Sequence, residues 1–337
     1  ALQERRRARP AGQSSRGQVG LNAAPRPATS GCTRRTALLG SALVGSAWLA
    51  GCTLNPDADH TGADAPTAAP LPRPARVAWV FSSGGPRGFV HVGVVKALDE
   101  LGLVPDLIVG ASVGALVAVL RAAGLHGPAL QALALNLQPA TLARLAVGGS
   151  ERLSGSPLAA LVRSQIQALG HAPLLQALPV MAVCVATRLA NRVAAQSTDR
   201  AAVALSRGDA GLAVQAACAI EDQFAPVRIH GQRHADADLT LPMPVRLART
   251  LGAQRVLAVD ASADETRAPP GTERWRAGDL RKRALTQPDA RAADLLLQPD
   301  IGYYASISRE YRERCIDAGY RSTMAQAVRL QGLHGVR

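Results

Sequence analysis

Arg76-Val-Ala-Trp-Val-Phe-Ser-Ser-Gly-Gly-Pro-Arg-Gly88 and Leu107-Ile-Val-Gly-Ala-Ser-Val-Gly114 decide the fold. Each stretch begins as a short apolar run, breaks at small residues and leads into helical spacing. Arg76–Phe81 reads as a strand, Ser82–Gly88 as a glycine-rich turn, and Phe89–Leu101 as a helix stopped by Gly102. Leu107–Gly110 reads as a second buried strand, followed by a helix over Ser112–Ala123 that ends at Gly124. Working outward, Val180–Thr187 is a third apolar strand and Leu212–Ile220 a helix. Val227–His230 and Gln232–Ala235 flank Gly231 as in a hairpin. Arg255–Asp260 and Leu295–Gln298 are later strands, and Ile307–Leu330 is a terminal helical stretch. Alternating strands and helices predict an α/β fold of three layers, α/β/α, with a central, mainly parallel sheet.

Gly110-Ala-Ser-Val-Gly114 fits G-x-S-x-G in the strand–turn–helix context that the motif needs. A sharp turn pushes the Ser112 hydroxyl out of the strand, and Gly110 and Gly114 let neighbouring backbone approach. The plainer alternative is a serine that only caps its helix. Ser83-Gly-Gly-Pro-Arg-Gly88 sits at the other strand-to-helix junction, where backbone N–H groups converge on negative charge. It lacks the Gly-Lys-Ser/Thr ending of a phosphate loop and the G-x-G-x-x-G spacing of a dinucleotide fold. An oxyanion hole from the backbone at Gly84, Gly85 and Gly88, joined by the Val113 N–H, is the better reading. His91 falls inside a helix and is expected to pack. His334 is the sole histidine after residue 236. It is expected on a frayed end, which argues against a Ser-His-Asp triad.

Taken together, Gly84-Gly-Pro-Arg-Gly88 and then Gly110-Ala-Ser-Val-Gly114 resemble the patatin-like phospholipase family. The similarity continues through Arg207-Gly-Asp209, Ala216–Ile220, Phe224-Ala-Pro-Val227, His234-Ala-Asp-Ala-Asp238, Pro244-Val245 and Val259-Asp260, so it spans roughly residues 76–325. The resemblance implies a patatin-like fold and a Ser-Asp dyad, with Ser112 as nucleophile and Asp236 as base. It also implies Arg87 as a helper in the glycine loop. Asp238 is the alternative base. Ala237 and Asp238 stand where the family has small residues, usually glycines, and Glu221 stands where it usually has proline. If position 237 takes a positive φ, Ala237 would strain the turn by roughly 1–2 kcal/mol. Asp238 would raise the pKa of one of the two carboxylates. The implied activity is hydrolysis of phospholipid or lysophospholipid acyl esters without a cofactor or metal. A catalytically impaired lipid-binding lipoprotein, or a general carboxylesterase or thioesterase, are the alternatives.

The net charge of +13 is uneven. Residues 1–52 carry eight arginines against Glu4, or +7, which leaves +6 for the remainder. Aromatic residues make up 3% of the chain and no basic stripe is interleaved with them, which argues against a nucleic-acid partner. Lys96 and Lys282 are the only lysines. None of the five cysteines forms a C-x-x-C pair, so a zinc site is not suggested.

Thr33-Arg-Arg-Thr36 precedes an apolar run from Ala37 to Ala50 that closes on Leu49-Ala-Gly-Cys52. This is the pattern of an export signal, and the tetrapeptide resembles a bacterial lipobox in which Cys52 would be acylated. The paired arginines also weakly resemble a twin-arginine signal. The first Met is Met181, so translation is expected to start nearer Val19 or Leu21. The expected organisation is an N-terminal extension and lipoprotein signal at 1–52, a flexible tether at 53–75, and the hydrolase domain at 76–337. The expected location is the bacterial cell envelope, on the periplasmic side of the outer membrane, with the protein held on the membrane surface by its lipid anchor.

Overall fold

In the computed structural model, which describes residues 58–145, 153–190 and 200–335, nine strands join one sheet. They are β1 (Asp59–His60), β2 (Ala75–Phe81), β3 (Leu107–Ala111), β4 (Met181–Leu189), β5 (Ala201–Leu205), β6 (Val227–Ile229), β7 (Gln232–Asp236), β8 (Ala253–Val259) and β9 (Leu295–Leu297). The helices are α1 (Phe89–Glu100), α2 (Val113–Ala122), α3 (Gly127–Asn136), α4 (Ser156–Ala168), α5 (Ala210–Ala217), α6 (Val245–Thr250), α7 (Arg276–Ala292), α8 (Arg309–Met324) and α9 (Ala327–His334). Strands β9, β8, β2, β3 and β4 run parallel to one another. β5 and β7 both run antiparallel to β4. The expected three-layer α/β/α fold is therefore present.

Alternate residues of each central strand face opposite layers. Val77, Trp79 and Phe81 pack with apolar side chains of α1 to α5, while Ala78 and Val80 pack with Val245 and Ala248 of α6. Burial on both faces explains why these strands are continuous apolar runs.

The register around β4 positions the functional groups. Cys184 and Val185 pair with both β3 and β5, so those two strands lie on opposite edges of β4. Ala186, Thr187 and Arg188 pair with both β5 and β7, so β7 also lies opposite β5. A strand has only two edges, and β3 and β7 therefore share one of them, end to end. β3 runs up to Ala111, opposite Val185, and β7 runs the other way to Asp236, opposite Ala186. Two chain directions converge and stop at adjacent rungs.

Two expectations change. The stretch read as a flexible tether is fastened to the domain along 59–75. β1 pairs with β6, the Asp59 carboxylate accepts the Gly231 N–H at 2.8 Å, and Ala65 is buried in the core. Ser206 Oγ also accepts from Ala69 N at 2.8 Å and donates to Ala69 O at 2.7 Å. Backbone pairing there does not depend on an apolar period, which is why composition suggested a linker. The export signal and Cys52 lie outside the described residues. His334 is buried instead of frayed. The indole Nε1 of Trp79 can only donate, so His334 Nε2 accepts from it at 3.0 Å, and Nδ1–H donates to Leu330 O at 2.8 Å. Both ring nitrogens are committed to packing α9 against β2. The sequence reading also passed over α7, an Arg-rich helix whose buried residues are Thr286 and Asp289 and which carries Pro288 inside it. It has no apolar stripe to announce it.

α8 lies against α1 at a separation that only glycine permits. A Cβ on Gly93 would sit 1.8 Å from Ile316 O, and one on Gly319 would sit 2.2 Å from Val90 O. Gly319→Ala should lower stability by about 1–3 kcal/mol by forcing these helices apart. An unchanged midpoint in urea unfolding would contradict that contact.

Candidate active site

The turn after β3 holds Ser112 at φ 53 and ψ −129. A non-glycine residue at positive φ is uncommon, and it costs roughly 1–3 kcal/mol that the surroundings must hold in place. They do so by close approach. A Cβ on Gly110 would lie 2.3 Å from Gly114 O, and one on Gly114 would lie 2.3 Å from Phe81 O. The two glycines of the pentapeptide therefore let the turn fold on itself and let α2 press against β2. Ser112 makes no side-chain cap to its helix, so the capping role does not apply. Ser112 is 5% exposed, and its hydroxyl donates instead to Asp236 Oδ2 at 2.5 Å.

Asp236 is fixed on every side. Its N–H donates to Ala219 O at 2.9 Å, its carbonyl accepts from Thr187 Oγ1 at 2.9 Å, and its Oδ1 accepts from Asp238 N–H at 2.8 Å. Burial, with Asp236 5% exposed, pushes its carboxyl up to about 7. The hydrogen bonds from Ser112 and Asp238 N–H oppose that rise, the Asp238 charge adds to it, and the Lys282 charge opposes it. The neighbouring Cys218 thiol is pushed well above its ordinary range, first by burial and then by Asp236, so it stays neutral.

Ala237 is buried, and it is not among the described non-glycine residues with positive φ, which are Ser112, Asp222 and His230. The strain anticipated there does not arise, because the turn is built by the Asp236 carboxylate capping Asp238 N–H and needs no left-handed residue. Asp238 turns its own carboxylate elsewhere. Its Oδ1 accepts from Ser83 Oγ and from Lys282 Nζ, the latter at 2.7 Å. Burial works against its ionisation, but the Lys282 ammonium and the Ser83 hydroxyl outweigh that and hold the carboxyl below its usual range. The geometry thus joins Ser112 to Asp236 and not to Asp238. Glu221, at the family's proline position, pairs with Arg200 at 2.7 Å.

The glycine loop closes the third side. Gly85 takes φ +52, which favours glycine. A Cβ on Gly88 would strike Val113 Cγ1 at 2.2 Å, so the loop lies directly on the first residue of α2. Ser83 N–H donates to Pro242 O at 2.8 Å and Arg87 N–H to Gly84 O at 3.1 Å. Among the described residues no hydrogen bond engages the Gly84, Gly85 or Val113 amide. The Arg87 side chain reaches the Tyr303 carbonyl through Nη2 at 2.5 Å, and its Nε is buried without a partner. It fastens the loop to the segment after β9. His91 does pack: burial pushes its imidazole down to about 4, and the neutral ring donates from Nε2 to Ser82 O at 2.9 Å.

Sequence reasoning found Ser112, Asp236 and the glycines but missed Ser83, Thr187 and Lys282. Only Lys282 left a trace, as one of two lysines in an arginine-rich chain.

Residues 79–249 match the profile of the patatin-like phospholipase family. An uncharacterised NTE family protein of Mycobacterium tuberculosis is 30% identical over 190 residues, 56% of this chain and 50% of that protein. Lysophospholipase nte1 of Aspergillus fumigatus is 48% identical over 46 residues, 14% of this chain and 3% of that protein. The chain thus spans about half the length of the mycobacterial relative and a small part of the fungal one. The crystal structure of VipD from Legionella pneumophila shares the fold, with a TM-score of 0.50 at 14% identity over 79% of this chain and 70% of that one.

The Asp236 carboxyl carries a stability signature. Between its unfolded pKa near 3.9 and its folded value of about 7, the unfolded chain releases a proton that the folded chain keeps, so stability falls as pH rises through that window. Asp236→Asn removes this penalty. It should be more stable than wild type at pH 8 by on the order of 2–4 kcal/mol, with the difference vanishing near pH 4. Parallel denaturation curves at both pH values that show no gain at pH 8 would contradict the buried carboxyl.

Proposed function

The chain belongs to the patatin-like phospholipase family, and we propose that it is a lipid acyl hydrolase of the phospholipase A or lysophospholipase type, working through Ser112 and Asp236. The observation that carries this reading is the 2.5 Å contact between a strained, buried serine hydroxyl and a carboxyl whose pKa is raised to about 7. An ordinary carboxylate is a weak base toward a hydroxyl, and a base matched to neutral pH is far better suited to the task. In the forward step the Ser112 proton moves to Asp236 Oδ2 as Oγ bonds to the ester carbonyl carbon. The amides of Gly84, Gly85 and Val113 hold the resulting oxyanion. Collapse breaks the ester C–O bond, and Asp236 returns the proton to the departing alcohol. Water then attacks the acyl-enzyme, giving its proton to Asp236, and Ser112 leaves as the restored hydroxyl.

The unstrained turn at Ala237 supports this reading over that of an impaired lipid-binding protein. Lipid substrates follow from the family. An acylated Cys52 would hold the enzyme at an envelope membrane.

Wild type, Ser112→Ala and Asp236→Asn would be assayed on lysophospholipid micelles and on a soluble nitrophenyl ester. Both variants should lose at least about 10³-fold in kcat/KM. The wild-type rate should rise with pH through about 7 as the base loses its proton. Equal rates in all three proteins, or no fluorophosphonate adduct at Ser112, would overturn the reading. Faster turnover of the soluble ester than of micelles would favour a general esterase.

A further inference from the structure

Asp238 brings a second carboxylate to within two residues of the proposed base. Two negative charges this close ordinarily prevent one of them from ionising. Here Asp238 is bound into a cross-link instead. Its N–H holds Asp236 Oδ1, while its Oδ1 receives Ser83 Oγ from the glycine loop and Lys282 Nζ from α7. A single residue therefore touches the acid, the oxyanion loop and a cation. The Lys282 side chain is 21% exposed and that of Asp238 is 41% exposed, so the pair sits at the edge of the buried site.

We propose that Lys282 is a positioning residue for this reaction: it neutralises Asp238, so that Asp238 can tie the glycine loop to the acid without its charge disabling Asp236. The inference rests on the hydrolase reading for its meaning, but not for its test. The other groups facing Asp236 do not supply this charge. Ser112 from the turn before α2 and Thr187 from β4 are neutral, and the Cys218 thiol after α5 is held protonated. Arg87 acts weakly on Asp238, and its guanidinium is held by the Tyr303 carbonyl. Among the described residues, Lys282 is thus the cation in direct contact with Asp238.

The ionisation of Asp236 can be read without turnover. In the full chain labelled with 13C at aspartate Cγ, the Asp236 signal is assigned by its loss in Asp236→Asn and followed against pH. Lys282→Met should move its midpoint upward by about one pH unit or more, because Asp238 is left uncompensated. Lys282→Arg should leave it near the wild-type value. Asp238→Asn should move it downward, and Lys282→Met combined with Asp238→Asn should abolish the upward shift. Should Lys282→Met fail to fold, Lys282→Gln takes its place and should give the same upward shift. A midpoint that ignores Lys282→Met, or one that stays put in Asp238→Asn, would overturn the proposal. In a turnover assay the acidic limb of kcat/KM should move with the same midpoint, roughly tenfold in rate at pH 6 per pH unit. A uniform loss of rate with an unmoved limb would mark a merely structural pair. Absence of wild-type turnover would defeat the hydrolase reading and leave the titration as the measure of this one.

Discussion

The contact between the Ser112 hydroxyl and the Asp236 carboxyl exists because two strands running toward each other end on the same edge of a third. Neither residue could reach the other from its own segment, since they are 124 residues apart. β4 supplies the alignment. Its lower half pairs with β3, its upper half with β7, and β5 covers the opposite edge, so neither converging strand can slide past the other. The junction is buried, and that burial raises the carboxyl's pKa toward neutral pH. Reactivity and architecture are thus one constraint: opening the seam would both separate the pair and return Asp236 to the ordinary range.

How much of this the sequence disclosed follows from where burial is complete. β2 and β3 are enclosed on both faces, so they appear as unbroken apolar runs, and the glycines at 84, 110 and 114 appear because a Cβ would collide with Ala261, Gly114 or Phe81. The hairpin of β6 and β7 was legible from Gly231. The end-to-end meeting of β3 and β7 was not, because register across a long separation leaves no mark on local pattern. α7 and the 59–75 segment escaped for another reason. Both are held by hydrogen bonds and ion pairs, such as Arg246 with Asp289 and Asp59 with Gly231, and these obey no period. The strain assigned to Ala237 was an inference from residue type alone. The Asx-type cap formed by Asp236 gives the turn another way to close.

The site also sets its own stability cost against that of the rest of the fold. Ser112 is held in an uncommon conformation, and an acid is buried where ionisation is penalised. Such costs persist only where surrounding packing over-determines the geometry. Here the surroundings are the β2–β3–β4 core and the close glycine contacts of α1 with α8, which hold α1 and the loop before it against the sheet.

Under the proposed mechanism the acid and the oxyanion donors must keep in step, since donors arranged before the reaction need no reorganisation during it. The loops after β2, β7 and β8 are bound to one another for that purpose. Ser83 donates through its amide to Pro242 and through its hydroxyl to Asp238, both in the segment that follows the acid. Ser82 Oγ accepts from Ala261 after β8 and donates to the Ser83 carbonyl, while His91 holds the Ser82 carbonyl from beneath. A displacement of the glycine loop therefore pulls on the segment that carries Asp236, and the reverse holds equally. In a site with no histidine to bridge nucleophile and acid, direct contact tolerates little drift. In the proposed dyad, a pair of serines on the glycine loop would supply the rigidity that a third residue would otherwise provide.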